Sequence, residues 1–451
     1  MSERQYEGDA QQVENSVSET PVDAPIPSIE IVAQECFNYA AWQNAVPLLH
    51  EVKVVNPTDV DLSSLRLEFS ASPAFASSHT WEVDRVGANA EVCIKNIDVQ
   101  IDAEFLDRLD EATRGTLRFR LCCGDKEIAT REREVRVLAR DEWGGVSAMG
   151  ELLPAFVTPN DPALAGLLKS AAASLNAHGH SSALDGYQSG DPNRAFLLAA
   201  ALWSAVAEKS LTYANPPSSF ERVGQKTRRV SAVLADGLAT CLDSTLLFAA
   251  GLEAIGLNAV LVMIEGHCFV GVWLFDKSLS KRIVTDASEL RKAYVAKELI
   301  VFETTMITHQ PPAMFNDAVA SAVDAISESK EHEFVGAIDV ARARMSQVRP
   351  LASHGERAET QEKPIETGPL PMPASPGFET PVIDDDPVPT TPAGRIDRWQ
   401  RKLLDLSLRN RLLNFKTNKQ TVPVLCQGLA LCGRYFRDVV REARTVLHRF
   451  C

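Results

Sequence analysis

The stretch from Thr240 to Gly256 constrains the fold of this chain more than any other. Thr240-Cys241-Leu242-Asp243 fits a capping box, with Thr240 as N-cap and Asp243 as a short N3 partner. The following STLLFAAGLEAI is apolar nearly all round, and Gly256 supplies a stop. A helix without a polar face has to be covered on every side, so this one belongs at the centre of a domain. Cys241 is thereby placed at the first position of a buried helix, a rigid mount for a nucleophile. Three short apolar runs come next: NAVLVMI, HCFVGVWL opening on His267, and RIVTDA containing Asp286. Their length suits strands packed beside that helix.

N-terminal to this region the texture is different. Residues 1–27 are polar and end in Pro21, Pro25 and Pro27, which reads as a disordered leader. Over residues 28–140, runs such as SIEIVA, SLRLEFSASP and TWEVDRV alternate with turn signals, and Thr116 to Leu121 alternates polar and apolar residue by residue. Six or seven strands at that spacing predict an Ig-like β-sandwich. In the strand-like run with Cys122 and Cys123, one cysteine faces the core. Helical character begins beyond RDEWGG, with Asp191-Pro192 offering an N-cap followed by Pro at N1. The predicted fold class is α+β: the sandwich, an α+β domain over 150–310, a helical extension over 311–349, and then a linker. Residues 350–393 carry ten prolines among Ser, Thr, Glu and Asp and read as a disordered, mobile linker. In 394–451, Ile396, Trp399, Leu403 and Leu406 recur at helical steps, a C-terminal helical segment that needs a partner.

Composition narrows the function classes. Hydrophobic residues at 45% and charged residues at 24% exclude global disorder, and no run reaches the roughly 20 apolar residues of a membrane span. No membrane partner is expected. The N-terminus has no apolar signal core, and nine cysteines without a C-x-x-C pair fit a reducing compartment, so a cytoplasmic protein is expected. A net charge of −14 argues against direct nucleic-acid binding by the chain as a whole. The basic Arg395, Arg398, Arg401, Lys402, Arg409 and Arg411 could touch nucleic acid, but the charge pattern favours a solvated helix face. His178 and His180 flank Gly179 with no third ligand at metal spacing, so they read as solvated, and neither metal nor cofactor is expected.

Cys241, His267 and Asp286 carry the chemistry. Helix amides and the positive end of the dipole favour a thiolate at Cys241. His267 is the candidate base and later acid, and a hairpin centred near Lys277 would bring Asp286 within reach of its ring. Asp276 would lie too far along that strand. An amide at the helix start, with Gln225 as a second donor, would hold an oxyanion. Asp243 reads as a cap and Cys268 as core, facing away from His267.

These residues carry a resemblance. LADGLATCLDSTLLFAAGLEAIGLNAVLV, GHCFVGVWL and VTDASEL resemble the transglutaminase-like (papain-like) core, whose Cys, His and Asp match Cys241, His267 and Asp286. Ala239 stands where that core carries Gly. GYQSGDPNRAF, YANPPSSFERVGQKTR and ELIVFETT are similar to large bacterial proteins in which this core precedes a superfamily-one helicase and a restriction-endonuclease-like nuclease. RWQRKLLDLSLRNRLLNFK, Arg398 to Lys416, resembles their domain of unknown function numbered four thousand and eleven. The resemblance implies a cysteine peptidase or sensor module of a defence-type protein, acting on a protein substrate or partner protein beside a helicase or nuclease domain or subunit. No G-x-x-x-x-G-K-[ST] occurs, so no ATPase is assigned to this chain. Against the family pattern, the chain is expected to be a truncated or frameshifted copy. The competing expectation is a catalytically silent interaction module that recruits partners to a helicase or nucleic acid.

Overall fold

The computed structural model describes residues 25–352 and 370–378, which belong to one compact unit. The expected leader lies almost wholly outside the described residues, as does the amphipathic helix expected near Arg398.

The chain is mixed α+β. Its N-terminal part holds two sheets. One runs β1 (Ser28–Ala33), β3 (Leu49–Asn56), β6 (Ala90–Cys93). The other runs β2 (Cys36–Phe37), β8 (Lys126–Val137), β7 (Thr113–Cys123), β4 (Leu62–Ser72), β5 (His79–Val86). All pairings are antiparallel except β2 with β8. Alternation explains the core: Leu65, Leu67 and Phe69 of β4 and Leu117, Phe119 and Leu121 of β7 are buried. On the outer face Arg118 pairs with Glu132 and Arg120 with Glu127, exposed rungs worth little individually. A bulge between Leu121 and Cys122 breaks the alternation, so Cys122 turns inward and Cys123 outward.

Beyond β9 (Glu142–Trp143) lies the region holding the buried helix. Two small ladders flank it: β10 (Thr212–Tyr213) runs parallel to β12 (Leu238–Ala239), and β11 (Gln225–Lys226) pairs with β9. A five-stranded antiparallel sheet follows the order β15 (Ile283–Val284), β17 (Phe334–Asp339), β13 (Ala259–Ile264), β14 (His267–Trp273), β16 (Leu299–Phe302). The helix Cys241–Ile255 packs on β13 and β14 and is covered from the other side by helix Pro192–Ala207. Its apolar circumference is satisfied by Trp203, whose ring stacks on Phe248 at 5.6 Å, and by Phe302, edge-on to Phe248 at 5.3 Å. Gly251 lets the two helices close up: a Cβ there would stand 2.9 Å from Leu202 methyls.

Two sequence expectations hold only in part. The stretch 311–349 carries helices Phe315–Ala325 and Val340–Met345 but is not helical throughout. After helix Phe315–Ala325 the chain forms β17, an internal strand between β13 and β15, so the sheet is incomplete without residues beyond 310. The Ala-rich flanks hide a four-residue buried run, Gly336 to Asp339, whose partners are all distant in sequence. Nor is 350–393 uniformly a mobile linker. Gln43 holds the backbone at Pro350 and Ala352, Arg140 donates to the Ala352 carbonyl, and residues 370–378 are packed against helices.

Candidate active site

The capping box forms as the residues require. Thr240 Oγ1 accepts from the Asp243 N–H at 3.1 Å, and Asp243 Oδ2 accepts from the Thr240 N–H at 2.9 Å. Asp243 also accepts from the Arg228 backbone N–H at 2.7 Å and its guanidinium at 2.8 Å. Its carboxylate is therefore consumed in holding the helix start, as a cap. Cys241 follows at the first turn with no exposed surface.

His267 opens β14 after the two-residue turn Glu265-Gly266, in which Gly266 takes a left-handed φ of 66°. The hairpin sets His267 across from Ile264, and its ring interacts with the Cys241 sulfur. His267 Nε2 lies 2.6 Å from Glu303 Oε2, which leaves Nδ1 as the nitrogen for the sulfur. Glu303 comes directly after β16, the neighbour of β14, and Val270 pairs with Phe302. Its other oxygen accepts from the Thr305 N–H at 2.9 Å and hydroxyl at 2.8 Å. Both carboxylate oxygens are thus occupied, and the imidazole is held in one orientation.

Asp286 is elsewhere. The hairpin expected near Lys277 does not form, because the chain leaving β14 crosses to the far edge of the sheet, where β15 pairs with β17. Three strand spacings separate β15 from β14, roughly 14 Å. Asp286 is the N-cap of helix Ala287–Val295 and accepts from the Ser288 N–H at 2.8 Å. The carboxylate on His267 is that of Glu303. Sequence reasoning passed over it within ELIVFETT, where the signal was an acid placed directly after four fully apolar strand residues.

Cys268 is core, as its place in the strand implies, and its sulfur also touches the Cys241 helix: Thr245 Oγ1, one turn below Cys241, donates to it at 3.6 Å. Ser244 and Thr245 both bond Thr304 Oγ1, at 2.9 and 3.3 Å, which ties the helix to the segment that carries Glu303. Tyr213 of β10 contributes a hydroxyl toward the Cys241 sulfur and is 37% exposed, so it forms the outer wall. Gln225 lies beside the helix start, 5% exposed, but its Nε2 donates to Thr240 Oγ1 at 3.1 Å and its Oε1 is buried without a hydrogen-bond partner.

These neighbours set the charges. A hydrogen bond from Cys268, working against burial and joined by the hydrogen bond and positive charge of His267, lowers Cys241 from 9.0 to about 6. Burial disfavours a charged His267, but its bonds to Cys241 and Glu303 prevail and raise it from 6.5 to about 10. Burial pushes the Cys268 thiol well up, so it stays protonated as a donor. Glu303 is held below the ordinary carboxylate range by His267 despite its burial. These shifts favour a Cys241 thiolate, a His267 imidazolium and a Glu303 carboxylate at neutral pH.

The family described as "Protein of unknown function (DUF4011)" matches residues 402–445, outside the described residues. No curated protein matches the chain.

Proposed function

We propose that residues 150 to about 345 form a transglutaminase-like cysteine hydrolase module with Cys241 as nucleophile, His267 as general acid and base, and Glu303 as the residue that orients the ring. The supporting observation is the arrangement of the helix-start cysteine and a histidine pinned by a 2.6 Å carboxylate bond, with pKa values crossed in favour of the ion pair. The Cys241 thiolate attacks an amide or ester carbonyl. The His267 imidazolium gives its proton to the leaving group, and a thioester remains on sulfur. Water, deprotonated by His267, then attacks the thioester, releasing the acid and restoring the thiolate with the proton on the ring. Backbone N–H groups at the first turn of the helix supply the positive end of a dipole for the oxyanion. Gln225, bonded to Thr240, supports the helix start.

Two features of the chain support a wider reading. The pair of mostly antiparallel sheets at the N-terminus fits an Ig-like sandwich. The match at 402–445 fits the N-terminal part of a helicase- and nuclease-bearing bacterial defence protein, with a protein as substrate. One observation favours the silent recruiting module instead: the Cys241 sulfur is wholly covered.

The test is acylation. With p-nitrophenyl acetate the full-length chain gives a burst of p-nitrophenol near one equivalent, an acetyl mass on the peptide containing Cys241, and no burst in Cys241→Ala. Absence of both burst and acetylated Cys241 in the wild type leaves the silent module as the reading.

A further inference from the structure

Away from the cysteine site, the segment Leu370 to Phe378, sequence LPMPASPGF, lies on the surface made by helices Leu164–Ala177 and Pro192–Ala207. The helices hold its backbone, while the Leu370 and Met372 side chains pack half-buried against the core. Prolines at 369, 371 and 373 leave Leu370 and Met372 as the only amides in that stretch, and both are bound. The Leu370 N–H donates to Ser204 Oγ at 3.1 Å and the Met372 N–H to His178 Nε2 at 3.2 Å. His178 is fixed for this task, because its Nδ1 lies 2.8 Å from the Ser174 carbonyl, so the proton sits there and Nε2 keeps its lone pair. It is not the solvated loop residue that its spacing suggested.

Farther along, Asn193 brackets one residue from both sides. Its Oδ1 accepts from the Phe378 N–H at 2.9 Å and its Nδ2 donates to the Phe378 carbonyl at 2.9 Å. The Ser375 hydroxyl also donates to Asn193 Oδ1. Asp191, the N-cap of the same helix, accepts from Asn193 Nδ2 at 2.9 Å and so sets the amide's orientation from the helix side. Gly377, at a φ of 69°, turns the chain so that the Phe378 ring enters. That ring is 8% exposed and 5.5 Å from the ring of Phe196.

Every receptor atom here stands on one of two regular helices or at its cap, independent of the segment. A proline-rich strand loses little entropy on binding, so backbone reading plus one aromatic anchor is an economical recognition mode. We propose that this face is a peptide-binding site for a proline-rich extended segment closed by Gly-Phe, and that residues 370–378 of the same chain are its resident occupant.

The experiment uses the full-length chain and a fluorescently labelled synthetic peptide of residues 368–380, read by anisotropy. In the wild type the resident segment competes at an effective concentration on the order of mM, so the peptide binds poorly. Phe378→Ala removes the anchor in cis, and the peptide is expected to bind this variant at least about tenfold more tightly. Adding Asn193→Ala abolishes that binding, and a peptide with alanine in place of the phenylalanine does not bind. Equal binding to wild type and Phe378→Ala, or equal binding of the alanine peptide, overturns the proposal. Hydrogen exchange gives an arm that needs no second variant: the Met372 and Phe378 amides are protected in the wild type and released in Phe378→Ala. Rapid exchange of both amides in the wild type also overturns it.

Discussion

Replacing His267 by alanine separates the sources of Cys241's acidity. With a pKa of about 6 instead of 9.0, about nine-tenths of Cys241 is thiolate at pH 7, against about one-hundredth for an unperturbed thiol. The hydrogen bond from Cys268 is the largest contribution, burial opposes it, and His267 adds a hydrogen bond and the site's positive charge. Without the imidazolium, a buried anion is left with neutral donors alone, so the pKa should rise by about one unit or more. One unit is a factor of ten in thiolate at any pH below both transitions, about 1.4 kcal/mol. The assay is carboxamidomethylation by iodoacetamide between about pH 5 and 10, followed on the Cys241 peptide by mass spectrometry. Wild type should show an inflection near 6. His267→Ala should move it upward and slow the reaction at about pH 5 by roughly tenfold per unit. An inflection that stays near 6 in the variant refutes the assignment of His267 as counter-ion, and one near 9 in the wild type refutes the thiolate itself.

Glu303→Gln should lower the His267 pKa, visible in the ring's NMR titration, and cut the acylation burst rate by at least about tenfold, whereas Asp286→Asn should leave the rate within about twofold. The thiolate–imidazolium pair should also leave a mark on stability. Folding depresses Cys241, a contribution lost as pH falls through about 6, and raises His267, a contribution lost as pH rises through about 10. Between the ordinary values of 6.5 and 9.0 the two dependences cancel, so the urea midpoint, relative to a Cys241→Ala/His267→Ala chain, should be flat there and decline on both sides. Gly224→Ala should lower the melting temperature: φ is 86° and a Cβ would stand 1.8 Å from the Trp143 carbonyl oxygen, so the β9–β11 ladder that seats Gln225 has to open. An unchanged melting temperature would show that this ladder is dispensable.

What the sequence determined by itself was local. The capping box, the apolar circumference of the helix and the Gly256 stop all lie within one helix and its caps, and all three appear in the structure. The Glu265-Gly266 turn and the alternation in β7 are legible for the same reason. Tertiary structure decided the partners. Whether β14 is followed by a hairpin or a crossover depends on sheet order, which no local pattern carries, and that order put Glu303 rather than Asp286 on His267. Likewise β17 becomes a strand because β13 and β15 offer unpaired edges, and Met372 and Phe378 are held because helices nearly two hundred residues earlier present His178 and Asn193. Short-range hydrogen bonding writes itself into neighbouring residues, while pairing across a sheet or a helix face is set by burial that only the assembled core defines.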